Sequence, residues 1–319
     1  MAKSKQIRNV AIVGTGVIGA SWAALYLARG LNVTATDPAP NAQESLRRFI
    51  DDAWKDLTVI GLSPNASREH LQFTPDMKKA LSEADLVQEN GPERKDFKIK
   101  LFADMDAATP PDSIIASSSS GLTMSVMQSA TKHPERCVIG HPFNPPHVIP
   151  LVEVVAGEKT SPETVRRAIA FYTSIGKKPI HVRKEVVGHV ANRLQAALYR
   201  EIVYLIEQGV LNVEDSDTAV SWGPGLRWGV MGPNLLFHLG GGQGGIQHFM
   251  EQFTGPLATW WKDLGKITDF SPEVKKTIIE GVQKEAGNRS IEELERERDS
   301  MLLELLATRA KGEEAAKAA

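Results

Sequence analysis

An α/β fold followed by an all-helical domain is what the sequence predicts, on three observations. A compact apolar run, Asn9 to Val13, feeds a glycine turn and then a helix-like segment rich in small residues, Ala20, Ala23, Ala24 and Ala28. Short apolar runs then alternate with amphipathic stretches as far as Arg183, the pattern of strands joined by crossover helices in a doubly wound sheet. After Glu185 only long helical patterns remain, so the boundary is placed near Val186, with 1–186 as one domain and 187–319 as the second. A chain of 319 residues is long enough for two such cores.

The turn reads Gly14-Thr15-Gly16-Val17-Ile18-Gly19, and strand, turn and helix together give each glycine a task. Gly14 makes the tight turn, Gly16 lets a pyrophosphate approach the backbone, and Gly19 lets helix and strand pack closely. The phosphate would sit on the helix N-terminus, at Val17 and Ile18. Glycine turns also serve packing alone, and the next strand, Leu31 to Thr36, weighs against that because it ends in Asp37, 21 residues after Gly16. A carboxylate there accepts from the adenosine ribose hydroxyls and repels a 2′-phosphate, which predicts NAD rather than NADP and a Rossmann-type first domain.

Asn41 to Leu57 is an amphipathic helical stretch, and Ser67 to Phe73 leads into a short strand after the turn-rich Gly61-Leu62-Ser63-Pro64-Asn65. This spacing is long for one crossover and predicts a helical hairpin inserted after the second strand. Ala84 to Glu89 is the next buried strand, and a helix over Lys95 to Ala107 follows. Glu93 and Lys98 bracket that entry and are candidates to meet the nicotinamide ribose, with a solvated surface pair as the alternative. Ser113 to Ser117 is a strand that delivers Ser118-Ser119-Ser120-Gly121 at its end, and Cys137 to Gly140 is the next. Both then bring side chains to one sheet edge, Ser120 on the first and His141 on the second.

From His141 to Glu153 a proline-rich turn, stiffened by Pro142, Pro145, Pro146 and Pro150, separates one imidazole from one carboxylate. A carboxylate on the far ring nitrogen holds a histidine in one tautomer, as a general base requires; a histidine satisfied within the turn is the alternative. Thr160 to Ile175 reads as a helix with Ser161 as N-cap and Pro162 at its first position, and Pro179 to Arg183 closes the sheet.

The second domain opens with a helical pattern from Val187 to Gly209, with Ala191, Leu194, Leu198, Ile202, Leu205 and Ile206 as its apolar face and Asn192 beside it. Asn192 either serves the chemistry or ties the domains together. Trp222 to Pro233 is a glycine-rich loop with Arg227 between Trp222 and Trp228. Arg227 suits a carboxylate bound by two parallel hydrogen bonds, and the tryptophans suit a cation. Core tryptophans with a structural arginine are the alternative. Gly240 to Gly245 lacks a preceding strand and is no second nucleotide turn. The tail from Ser290 is an amphipathic helix with Glu293 three residues on from its cap.

With 37 basic and 39 acidic residues the formal charge is −2, which suggests neither nucleic acid nor an anionic membrane as partner. Cys137 is the single cysteine, so an intrachain disulfide framework and a cysteine-clustered zinc site are excluded, no metal is expected, and a cytoplasmic setting fits. No run approaches the length of an apolar membrane span, and no signal-peptide core follows the charges at Lys3, Lys5 and Arg8.

Taken together, these motifs resemble the L-3-hydroxyacyl-CoA dehydrogenase superfamily over roughly residues 7 to 265. The glycine turn with Asp37, Ser120-Gly121-Leu122, His141-Pro142-Phe143-Asn144-Pro145, Leu151-Val152-Glu153-Val154 and Asn192-Arg193-Leu194 stand in the family order. The chain looks most like the short-chain hydroxy-acid branch, the L-carnitine dehydrogenase, L-gulonate 3-dehydrogenase and lambda-crystallin group. Gly225-Leu226-Arg227-Trp228 is similar to the carnitine members in particular. The resemblance implies His141 as general base, Glu153 as its orienting partner, Ser120 and Asn192 as donors to the reacting oxygen, and Glu93 and Lys98 near the nicotinamide. It also implies a homodimer through the helical domain.

Gly121 replaces a second serine frequent in the acyl-CoA enzymes, and Arg227 stands where those enzymes usually lack an arginine. Both departures favour a small 3-hydroxy acid over a thioester, with carnitine foremost and L-gulonate or a 3-hydroxyacyl-CoA as the enzymatic alternatives; a crystallin-like structural protein is the non-enzymatic alternative.

Overall fold

The computed structural model describes residues 6–318, with side chains as far as residue 315. It divides into two compact units, one ending at Arg193 and one beginning at Leu194. The first unit opens with β1 (Asn9–Val13), α1 (Val17–Ala28), β2 (Asn32–Thr36) and α2 (Ala42–Ile60). β3 (Leu71–Phe73), α3 (Met77–Leu81), β4 (Leu86–Glu89), α4 (Lys95–Ala108) and β5 (Ile114–Ser117) follow. It closes with α5 (Met124–Met127), β6 (Cys137–Pro142), β7 (Leu151–Ala156), α6 (Pro162–Ser174) and β8 (Lys178–Val182).

The strands form one sheet in the order β3-β2-β1-β4-β5-β6-β7-β8. Neighbours run parallel except β6 and β7, which are antiparallel. Strand alternation splits the core into two layers. Val10 and Ile12 face Trp22, Leu25, Leu46, Ile50 and Phe171, whereas Ala11 and Val13 face Phe102, Met105 and Met127. Because β1 lies between β2 and β4, the order reverses at β1, and the crevice at the ends of β1 and β4 is the place such sheets keep for ligands.

The expected helical hairpin after β2 is not formed. Residues 42–60 make a single 19-residue helix whose Leu46, Ile50, Ala53 and Leu57 form one buried stripe. It ends at Gly61, with φ +106, and the ten residues before β3 fold as a turn and one 3-10 turn. The Ser161 cap is as read: its side chain accepts from the Thr164 amide.

The second unit is helical. α7 (Ala191–Glu207) begins in the first unit and continues into this one, followed by α8 (Val213–Trp222), α9 (Pro224–Trp228) and α10 (Pro233–Gly240). α11 (Gly245–Asp263), α12 (Pro272–Ala286) and α13 (Ile291–Ala318) complete it. Val203, Ile206, Val213 and Val274 form a small buried cluster. At the start of α13, Ser290 and Glu293 exchange the two hydrogen bonds of a capping box, the Glu293 carboxylate accepting from the Ser290 amide and the Ser290 hydroxyl from the Glu293 amide. α7 starts four residues later than the helical pattern suggested, because Gly188 and His189 both adopt left-handed backbone, φ +77 and φ +48. Its predicted apolar face is only partly covered, with Leu194 68% exposed. No helix among the described residues is long and apolar enough to cross a membrane.

Candidate active site

The glycine turn sits at the end of β1 and carries the close approaches that require glycine. A β-carbon on Gly14, whose φ is +87, would lie 2.9 Å from the Asn90 backbone. One on Gly19 would lie 1.9 Å from the Gly14 carbonyl oxygen. One on Gly16 would meet nothing within 4 Å, so the backbone there borders open space. Gly16 caps α1 without a side-chain acceptor, leaving the first amides of the helix, at Val17 and Ile18, directed outward for an anion.

Asp37 follows β2 and is held by the turn it serves. One carboxylate oxygen accepts from the Thr15 amide at 2.7 Å and the Thr15 hydroxyl at 3.1 Å, and the other from the Ala39 amide at 2.9 Å. Beside it a cleft is lined by Pro38, Ala39, Phe73 and Pro75. Bare helix amides, a glycine open to approach and a carboxylate next to an apolar cleft fit a dinucleotide's pyrophosphate, ribose and adenine.

The residues expected to carry the chemistry lie on β6, on β7, after β5 and at the start of α7. β6 runs two residues further than the sequence suggested, so His141 lies inside it, directly opposite Glu153 in the antiparallel register. Opposed residues project to the same face. His141 Nδ1 is 2.8 Å from Glu153 Oε2, both groups are buried, and His141 Nε2 has no partner among the described residues. The second Glu153 oxygen accepts the Val190 and Ala191 amides at 2.8 and 2.9 Å, so the carboxylate also caps α7. Burial on its own would raise the Glu153 carboxyl; the hydrogen bonds from His141 and the two amides outweigh it and hold the group below the usual carboxylate range. Asn192 follows in the first turn of α7.

The serine cluster divides its labour. Ser117 donates to Glu89 at 2.6 Å, Ser118 to Asn90 at 2.8 Å and Ser119 to Glu93 at 2.5 Å. Only Ser120 is left: its hydroxyl, like the Asn192 amide, has no hydrogen-bond partner among the described residues. Glu93 also accepts the Gly121 and Leu122 amides at 2.8 and 3.1 Å. Burial would raise its carboxyl, and these bonds, with Lys98 nearby, lower it.

Lys98 is not a solvated surface charge. It is 1% exposed and reaches both oxygens of Glu89 at 2.7 Å, with Glu93 at 3.8 Å. In the sequence Glu89 is only the last residue of an apolar strand. Its carboxylate lies nine positions from Lys98 across two elements, a pairing that no local period reveals.

Two further residues escaped the sequence reading. Asn90 donates to the Gln88 carbonyl at 2.9 Å and accepts from Ser118, joining the ends of β4 and β5. His189, read as an ordinary helix position, is buried, and its Nε2 lies 2.9 Å from the Ser119 carbonyl oxygen. Its ring centroid is 5.1 Å from that of His141.

The loop residues Arg227, Trp222 and Trp228 belong to the second unit, at α8 and α9. Trp222 is 77% exposed and Trp228 is exposed, which sets aside the reading of core tryptophans. The Arg227 guanidinium is exposed and unpaired among the described residues.

Residues 9–186 match the model of the 3-hydroxyacyl-CoA dehydrogenase NAD binding domain, and residues 188–281 match that of the 3-hydroxyacyl-CoA dehydrogenase C-terminal domain. The chain belongs to the 3-hydroxyacyl-CoA dehydrogenase family. It is an NAD-dependent oxidoreductase of that family, with the eight-stranded sheet as its NAD-binding part. It is 46% identical over 306 residues to L-carnitine dehydrogenase of Streptomyces coelicolor, covering 96% of each chain. To L-carnitine dehydrogenase of Pseudomonas putida it is 44% identical over 301 residues, 94% of each. Among solved structures it resembles FHMPC 5-dehydrogenase, an NAD+-dependent dismutase, with a TM-score of 0.83, 36% identity, and 96% and 99% of the two chains covered.

Proposed function

We propose that this member of the family oxidises the 3-hydroxyl of a small L-3-hydroxy acid to the ketone, with L-carnitine, giving 3-dehydrocarnitine, as the substrate. The observation that carries the reading is the buried His141–Glu153 pair with Nε2 of the imidazole left free. His141 Nε2 takes the hydroxyl proton as the C3–H bond breaks and the carbonyl forms. Glu153 stays ionised, keeps the Nδ1 proton in place and stabilises the imidazolium. Ser120 and Asn192 donate to the oxygen as its charge develops. NAD, when bound, supplies the acceptor for the electron pair and the hydrogen of C3. Gly14, Gly16, Gly19, Val17, Ile18 and Asp37 hold it, while Glu93 and Lys98 order the strand end beside the nicotinamide.

Arg227 is assigned to the substrate carboxylate and Trp222 and Trp228 to the trimethylammonium group. Support for carnitine comes from that unpaired arginine, the exposed rings, and the identity to L-carnitine dehydrogenases over nearly the full chain. The test is NADH formation, followed by absorbance, with L-carnitine, L-gulonate and a 3-hydroxyacyl-CoA as separate substrates. Turnover with L-carnitine alone is expected. A preference for gulonate or the thioester, or no turnover with L-carnitine, sinks the carnitine assignment.

The same proposal makes the enzyme a cytoplasmic homodimer. The second unit leaves Leu194, Leu235, Leu239 and Ile279 exposed in the single chain, apolar side chains that a second copy would cover. A light-scattering mass of one chain at micromolar concentration would refute the dimer.

A further inference from the structure

His189 stands where the proposed roles leave a gap. Its backbone is left-handed, with φ +48, a conformation that side chains with a β-carbon avoid. Its ring is 2% exposed. A carbonyl oxygen only accepts, so the 2.9 Å contact to Ser119 requires the proton on Nε2 and, in the neutral ring, leaves Nδ1 a bare acceptor. That Nδ1 is buried and has no hydrogen-bond partner, an arrangement native interiors seldom keep without a use.

The placement suggests the use. Ser119 precedes Ser120; the amides of Val190 and Ala191, which hold Glu153, follow His189 directly; and Asn192 is three residues on. The ring itself lies against the His141 ring, tilted by 54°. The side chain therefore touches the His141 ring and the residue before Ser120, and its backbone leads directly into the segment that holds Glu153 and carries Asn192.

We infer that His189 is a positioning residue for the alcohol oxidation: as a neutral Nε2–H imidazole it ties the Ser120 loop to the start of α7 beside the His141 ring, fixing the oxygen-binding groups relative to the base. This inference rests on the dehydrogenase reading of the same site. Burial holds the imidazole below its ordinary range; the Ser119 carbonyl, Glu153 and Glu93 pull upward and His141 downward. A neutral ring also avoids a second positive charge where His141 must become an imidazolium.

The test uses the full chain and two variants. His189→Phe keeps an aromatic ring without a donor, and His189→Gln restores a donor to the Ser119 carbonyl. For His189→Phe, kcat should fall about tenfold or more, with NAD affinity within about twofold of wild type, because misplaced groups slow the chemical step more than binding. His189→Gln should recover most of that loss. Wild-type kcat in His189→Phe, or equal losses in both variants with equally lowered melting points, would overturn the role.

A second readout needs no turnover. In 15N-histidine-labelled protein with NAD added, His189 should show the Nε2–H tautomer and remain neutral at the pH where an ordinary histidine is half protonated. A proton on Nδ1, or a charged ring at that pH, overturns the inference. Because this spectrum is read without any substrate, a failed carnitine assay and a failed role for His189 are told apart.

Discussion

Glu153 accepts three hydrogen bonds with its two oxygens, one from an imidazole and two from the first amides of a helix. The two tasks separate on substitution. In Glu153→Gln the amide oxygen still accepts from Val190 and Ala191, so the fold should survive with a melting point close to wild type. A neutral amide cannot stabilise the His141 imidazolium, and kcat should fall about a thousandfold. Steady-state rates alongside thermal melts check this, and an active Glu153→Gln protein would remove Glu153 from the proposed mechanism. At this scale the sequence was informative about residue type: His141 and Glu153 stood out as an imidazole and a carboxylate bracketing a stiff turn. His189 did not, because Val187-Gly188-His189-Val190 reads as helix, and a left-handed non-glycine residue leaves no periodic trace; Gly188 just before it was the one available sign.

At the scale of elements, the strand–turn–helix that opens the chain gives a paired prediction. Gly19 lies where α1 crosses the turn, and a methyl there meets the Gly14 carbonyl, so Gly19→Ala should destabilise the protein by about 1–3 kcal/mol. Gly16 faces open space, so Gly16→Ala should leave stability within about 0.5 kcal/mol. Its added methyl should nonetheless weaken NAD binding about tenfold, since close approach to the backbone is what that glycine provides. Denaturant unfolding and NAD titration of the two variants read the difference, and equal NAD affinity for Gly16→Ala and wild type would contradict the assignment of this turn. The elements themselves were legible from alternation and capping, as at Ser161 and Ser290. The single helix after β2 was not, because a turn-rich stretch like the one after Gly61 can join two helices as well as end one.

Over the whole first unit, stability should carry a pH signature from Asp106. This buried carboxylate accepts the Lys132 amide at 2.7 Å and Arg136 at 2.8 and 3.0 Å. Burial would raise it, but Arg136 and the amides of Lys132 and His133 hold it below the usual range. A folded value below the unfolded one stabilises fully above the unfolded carboxyl's pKa, and the contribution disappears as pH falls through the folded value. Asp106→Asn, which leaves Arg136 buried without its counter-charge, should therefore cost about 3 kcal/mol at neutral pH and progressively less on acidification. Melting curves of both proteins across that range check it; a deficit that grows in acid would refute the sign.

By itself the sequence determined the α/β order, the glycine turn followed by Asp37, the family resemblance and the residue types available for catalysis. These are encoded within short windows, where glycine spacing, apolar period and end-capping act on neighbouring residues. Only the tertiary structure decided that three serines hold other groups while Ser120 stays free, that Lys98 is neutralised by Glu89, and that His189 joins the Ser120 loop to the start of α7. Those outcomes depend on which strand lies beside which, and hydrogen bonds between residues 9 to 70 positions apart follow from sheet order and register rather than from any local pattern.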